Sequence, residues 1–234
     1  MHALSNVRKT FSTGFCPVMD PLHFCVAVAP LSVYLLMVGL INLSSWPFVT
    51  TGTRDTAALG IGIVGLMVAG PMELFFPEEA ASQFGGKVWL LLIAFYGLCV
   101  SLVVLLLRSR IVVYNITGEQ LKPILNQVAI QIDRKSRWVG DSLLVPDIQV
   151  HLHIESVDWL RNVQLIAGGN RQSFEGWRLL EKELRLALRS SRVRPNLLGF
   201  VLLLASGSLA VLAAGWMLYD QQSVAQALDE MLRR

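Results

Sequence analysis

Charge is scarce in this sequence. Asp, Glu, Lys and Arg make up 16% of its 234 residues, against about 25% in an average soluble domain. That deficit argues against an ordinary cytosolic enzyme. Cysteine is scarce too, with 3 residues and no Cys-x-x-Cys pair, which excludes a disulfide framework and gives no sign of an oxidising compartment. With 18 Gly and 9 Pro the chain is far from a collagen-like composition. Its 53% hydrophobic content excludes intrinsic disorder, which needs low hydrophobicity and high net charge. No Gly-x-Ser-x-Gly elbow occurs, no motif names a reaction, and nothing calls for a cofactor.

What is abundant is long apolar sequence. Mean hydropathy is +0.52, and the apolar residues gather into four runs, 22–43, 57–76, 88–107 and 197–219. A membrane span needs about 20 predominantly apolar residues, and each run meets that length. Three carry no charged residue; the second has Glu73 near its end. Trp46, Trp89, Trp216 and Tyr219 lie near the run ends, where amphipathic rings favour the headgroup level. Arg108 and Arg110 close the third run, and Arg192 and Arg194 precede the fourth; such side chains snorkel to an interface. The polar segment 1–21, with Arg8 and Lys9, ahead of so long a run reads as an uncleaved signal anchor rather than a cleaved signal. Residues 220–234 have the pattern of a short amphipathic tail.

The segment 108–196, between the third and fourth runs, holds 14 Lys and Arg against 9 Asp and Glu. It therefore carries a net +5, while the rest of the chain is net negative. It reads as a small α+β domain. Ile111–Ile116 is β-branched and short, as a strand requires. Thr117 and Gln120 have capping-box spacing, followed by Leu121, Leu125, Val128 and Ile132 at helical spacing. Pro123 would move the helix start toward Leu121. Gly140-Asp141 joins a hairpin. Ile148, Val150, Leu152 and Ile154 alternate with Gln149, His151, His153 and Glu155, the pattern of a half-buried strand. Residues 163–167 form the last strand. Ser173 caps a helix with Phe174, Trp177, Leu180, Leu184 and Leu188 on one stripe. The expected fold is a multi-pass α-helical membrane protein of four spans, with an α+β insert ordered strand, helix, three strands, helix. A sheet with helices on one face satisfies that order.

Basic residues flank the insert at both membrane ends, which places it on the cytoplasmic side of a bacterial membrane by the positive-inside rule. Arg8 and Lys9 pull the other way but are fewer. Full crossing by all spans puts the N-terminus opposite the insert. The glycines and Pro71 of the second run would also tolerate a re-entrant break.

Several residues are candidates for chemistry. His151, His153 and Glu155 share one strand face, and two imidazoles with a carboxylate can ligate zinc; the plainer reading is a polar strand face. Glu73 is the one carboxylate in a span, a default candidate for an ion role, although Pro77-Glu78-Glu79 nearby puts it close to interfacial water. Arg178, Lys182, Arg185 and Arg189 lie on a helix beside the membrane and would contact anionic lipid or a partner; otherwise they are a solvated face, partly balanced by Glu175, Glu181 and Glu183. Small-residue spacing at Ala58, Gly62, Gly65 and Ala69, and at Ser206, Ala210 and Ala214, marks packing seams within the chain or between copies. Asn115-Ile116-Thr117 fits a glycosylation acceptor, set aside on a cytoplasmic domain. Gly168–Arg171 precedes a helix but lacks phosphate-loop spacing. The modest charge excess comes with no nucleic-acid-binding motif.

The run Val113–Leu121 (VYNITGEQL), directly after a pair of spans, resembles the start of bacterial membrane-anchored PH-like domains. Those also end in a strand followed by a helix, as 163–188 does. A helix after the first strand departs from the PH-like barrel, and the likeness carries over no functional residue. The leading expectation is a non-enzymatic scaffold, assembly or sensor-like accessory protein, working through its basic insert on a lipid bilayer, with a membrane-protein partner or a second copy. The alternatives are a small transporter using Glu73 and the Gly-rich second span, and a metal-dependent membrane enzyme using His151, His153 and Glu155.

Overall fold

The computed structural model describes residues 21–72, 74, 84–169, 172–221 and 224–225. Four helices in it are long and apolar enough to cross a membrane. The first, α1, is Pro21–Leu43. The second, α2, spans Gly52–Met67 and continues through a π-helical turn, Val68–Met72, that contains Pro71. Proline cannot donate the normal helical bond, and a widened turn is one way to absorb it. The third, α3, is Lys87–Leu106. The fourth of these apolar helices, Leu197–Tyr219, is α6.

The second span starts five residues earlier than the apolar run. Thr51 caps it by accepting a hydrogen bond from the Arg54 N–H at 3.4 Å. Arg54 and Asp55 therefore occupy its first turn, where loss of apolarity in the sequence masks the true start.

The insert begins with β2 (Arg110–Tyr114) and α4 (Gly118–Ile132). Helix α4 starts at its capping box and not near Leu121. Pro123 sits on its exposed side, so the carbonyl it leaves unbonded, that of Glu119, faces solvent. Four strands follow, not three: β3 (Arg137–Val139), β4 (Ser142–Val145), β5 (Val150–Val157) and β6 (Asn162–Ala167). Gly140, at φ +61°, makes the two-residue turn between β3 and β4. Helix α5 (Phe174–Arg189) closes the insert.

A sixth strand comes from outside the insert. Phe48–Thr51, between the first two spans, is β1 and pairs antiparallel with β2, Val49 opposite Val113. The sheet order is β1-β2-β6-β5-β4-β3, antiparallel throughout. It is an open sheet with two helices on one face, not a PH-like barrel. Ile111, Val113, Leu143, Leu152 and Leu165 project from it into a core closed by Leu121 and Leu125 of α4 and by Trp177, Leu180, Leu184 and Leu188 of α5. Phe174, expected on that stripe, is instead 72% exposed. It opens the helix, where the first turn reaches past the sheet.

Among the spans, α1 packs along α6 and α2, whereas α3 touches chiefly α2 and is otherwise open to its surroundings. The α1–α6 seam runs through Gly199, Ser206 and Ala213, all buried, with Ser206 Oγ donating to the Ser32 carbonyl at 2.7 Å. That seven-residue spacing keeps one stripe facing its neighbour. The four-residue row expected from Ser206 drifts off it, leaving Ala210 and Ala214 exposed. In α2, Gly65 lies so close to α1 that an added Cβ would stand 2.1 Å from the Val26 carbonyl oxygen. Gly62 meets the Tyr34 side chain of α1 in the same way. These seams join helices of one chain.

Two outcomes follow. A Cβ at Gly199 would lie 2.8 Å from the Gly39 carbonyl, while one at Gly97 meets nothing within 4 Å. Gly199→Leu should therefore cost about 1–3 kcal/mol of stability in mild detergent, and Gly97→Leu should leave thermal unfolding unchanged. The second concerns Asp133, buried at the end of α4. The Asp147 N–H at 3.0 Å and the Lys135 N–H at 2.7 Å donate to its carboxylate and hold it below the usual carboxylate range. A lowered native value adds stability above the unfolded-chain pKa of about 3.9, lost as pH falls through the native value. Asp133→Asn should speed hydrogen exchange around 133–147 at pH 7, and its difference from the wild type should shrink as pH falls below about 4.

Candidate functional site

Four polar contacts fix the insert to the ends of the spans. Asn115 is wholly buried in the left-handed region at φ +63°, and its amide donates to the Ser44 carbonyl just after α1 at 2.5 Å. Asn adopts that backbone more readily than most residues. Burial also removes Asn115 as a glycosylation acceptor in the folded chain. The Asn196 N–H donates to the Asn42 carbonyl at 3.0 Å, and the Val193 N–H to the Ser45 carbonyl at 3.0 Å. Tyr114 reaches from β2 to Asp55 in the first turn of α2, its hydroxyl 2.5 Å from Oδ1. Burial first, then this hydrogen bond, raise the Tyr114 pKa far above that of a free tyrosine. It stays protonated and donates.

Next to this joint runs a basic cleft of about 650 Å³. The four cations expected on one helix, Arg178, Lys182, Arg185 and Arg189, all line it. Helix α5 positions them by turning Trp177, Leu180, Leu184 and Leu188 inward, after Ser173 caps it by accepting from the Gly176 N–H at 3.2 Å. Arg54, on the first turn of α2, faces them across the cleft. Glu181 pairs with Arg185 at 2.6 Å, and the same guanidinium donates to the Val49 carbonyl of β1 at 3.4 Å. Among the described residues, Arg54, Arg178, Lys182 and Arg189 have no ion-pair partner. A recess of about 270 Å³ extends the cleft past Arg54 and Arg178 to Arg110 and Trp177. Arg110 donates to Gln164 at 3.3 Å and Thr56 at 3.0 Å, both uncharged, and its Nε is buried without a hydrogen-bond partner.

Below lies a third concavity, about 520 Å³, between α2 and α3. Leu59, Ile63, Met67, Leu92, Phe95 and Val100 give it an almost wholly apolar lining. Tyr96 crosses one wall to donate to the Gly60 carbonyl at 2.6 Å.

Comparison with protein families, curated proteins and solved structures found no match for this chain.

The other candidates fare differently. His151, His153 and Glu155 share the outer face of β5 as expected, but His153 Nδ1 lies 3.2 Å from Ser142 Oγ, and His151 packs on Gly168. No group of three His, Cys, Asp or Glu able to hold a metal ion occurs among the described residues. Glu73 lies outside the described residues, as do Asn170 and Arg171 and most of the tail 220–234. Gln172 accounts for the glycine turn before α5: its amide donates to the His151 and Gly168 carbonyls and accepts from Trp177 Nε1 at 2.9 Å. Gly60, Gly62 and Gly65 have dinucleotide-fingerprint spacing, yet they sit mid-helix with no preceding strand and serve packing instead.

Sequence reasoning missed Arg54 and Arg110 as members of the basic site. Arg54 was legible as the one cation between the first two spans, but the α5 cations it joins lie more than 120 positions away.

Tyr114→Phe should cost about 1.5–3 kcal/mol, because it removes a partly buried bond to a carboxyl group. In an Asp55→Asn background the loss should shrink, as a double-mutant cycle in detergent would read.

Proposed function

We propose that this protein is a membrane-anchored accessory or scaffold protein without catalysis of its own. It presents a basic α+β head at a fixed height and angle on the cytoplasmic side of a bacterial membrane. One observation carries the reading: β1, between the first two spans, completes the sheet of the insert. A catalytic or regulatory domain on a flexible tether would be free to move; this head shares backbone hydrogen bonds with a segment held between two spans. Rigid presentation suits docking of a partner against a membrane-adjacent surface.

The same pairing supports the topology. β1 and β2 lie at one end of the bundle, so the chain between them crosses an even number of times. Full passage by both α2 and α3 meets this condition, while re-entry by α2 alone violates it. The surplus of Arg and Lys in the insert favours the cytoplasmic face. Trp46, stacked under Arg192 at 5.5 Å, suits the headgroup level beside it.

The partner is a membrane protein or a second copy of this chain. In-membrane photo-cross-linking from position 182 or 186 of the full chain, followed by mass analysis, tests the reading. One discrete adduct, formed by probes on α5 and not by a probe at position 130 of α4, is expected. Cross-linking to lipid alone, together with a monomeric particle after gentle solubilisation, would refute it.

A further inference from the structure

The basic cleft and the apolar groove meet on the same turn of α2. Thr56 lines the groove, and it accepts a hydrogen bond from Arg110, which lines the recess. Two residues earlier Arg54 lines both the recess and the cleft. On the opposing helix Val103 ends the groove, and beyond the helix end Ser109 and Arg110 line the recess. A path therefore runs from an almost wholly apolar slot between two spans to a pocket of cations at their end.

We propose that this path is a binding site for one anionic phospholipid. An acyl chain lies between α2 and α3, and the phosphate lies among Arg54, Arg110 and Arg178. The chemistry of both ends is matched. Guanidinium groups bind phosphate oxygens through paired N–H donors. Arg54 and Arg178 have no ion-pair partner among the described residues, and Arg110 keeps a buried Nε–H without an acceptor. Two carboxylates also line the cleft, Glu175 and Glu181. Glu181 is already paired with Arg185, so the positive excess persists. Phe174 and Leu179, exposed on α5 beside these cations, suit the boundary between headgroups and chains.

A free phosphate or phosphorylated metabolite would use the cations and have no use for the groove. A zwitterionic lipid would use the groove, but its own ammonium opposes the cations. Only an anionic lipid satisfies both ends. The site lies on the leaflet that faces the insert, where anionic lipids concentrate if that leaflet is cytoplasmic. This goes beyond the accessory role proposed above and does not depend on a protein partner.

Native mass spectrometry of the full chain, delipidated in mild detergent, provides the test. The titrants are dioleoyl phosphatidylglycerol, dioleoyl phosphatidylcholine and inorganic phosphate. One phosphatidylglycerol should be retained at about tenfold lower concentration than phosphatidylcholine. The Arg54→Gln/Arg178→Gln variant, altered at exposed positions, should lose that preference and keep wild-type thermal unfolding. Ile63→Trp, which fills the groove, should weaken the dioleoyl lipid and leave its dihexanoyl analogue unaffected. Equal retention of the two dioleoyl lipids by the wild-type chain would overturn the proposal without recourse to any variant. Phosphate binding as tight as the lipid, insensitive to Ile63→Trp, would reassign the pocket to a soluble anion and overturn it equally.

Discussion

Phe48–Thr51 and Ile111–Tyr114 lie side by side as antiparallel strands, although 59 residues, including two membrane-length helices, separate them in the chain. Without this pairing the insert would be a five-stranded sheet tethered at its two ends. With it, β2 becomes an interior strand: Ile111, Val112 and Val113 are all buried, which means both faces of the strand are covered. The new edge is only four residues long and is closed by Arg185, whose guanidinium bonds the Val49 carbonyl. Short, covered edges are how sheets avoid pairing with other chains. The same pairing ties the start of α2 to the head through Tyr114 and Asp55, so span and sheet stability become coupled.

A joint of this kind has a polar problem. Where helices end and strands begin, backbone groups lose their regular partners close to the bilayer, and unpaired buried groups are expensive. Two asparagines answer part of it. Asn115 and Asn196 are buried, and their amides donate across the junction to the Ser44 and Leu160 carbonyls. An amide carries both donor and acceptor on a short stem, so it can replace a missing backbone partner without importing charge. Asn196 also caps α6 by accepting from the Leu198 N–H.

The local features of this fold were legible in the sequence, and the long-range ones were not. Uninterrupted apolarity marks the spans because a bilayer imposes its thickness on them. The Thr117 capping box, the Gly140-Asp141 hairpin and the β5 alternation are set by neighbours within a few residues and appear close to where their patterns lie, although β5 begins at Val150 because Ile148 and Gln149, the latter at φ +51°, belong to the preceding turn. β1 was invisible for the opposite reason. Four residues, Phe-Val-Thr-Thr, are too short to show alternation, and their partner strand lies beyond two spans. The shifted start of α2 follows from the same gap, since its cap is the last residue of β1. The seam of α6 was misread because small residues recur every four positions as well as every seven, and only the facing helix decides between them. Of the basic site, the four α5 cations could be read as one helical face; Arg54 and Arg110 join them only through the tertiary fold.

That tertiary placement changes what the charges can do. On an isolated helix, Arg178, Lys182 and Arg189 would be a solvated face, with their field screened over about 8–10 Å. In the folded chain they line one cleft together with Arg54 from the first turn of α2, and all of them remain solvent-exposed. Their fields add within that cleft, so it is their number and convergence, rather than loss of water, that strengthens the attraction for an anion. The gathered charges also repel one another, and among the described residues only Arg185 has a carboxylate within ion-pair distance. An anion in the cleft, as proposed above, would offset that repulsion. The rigid sheet ensures that the cations remain there to receive it rather than drifting apart into solvent.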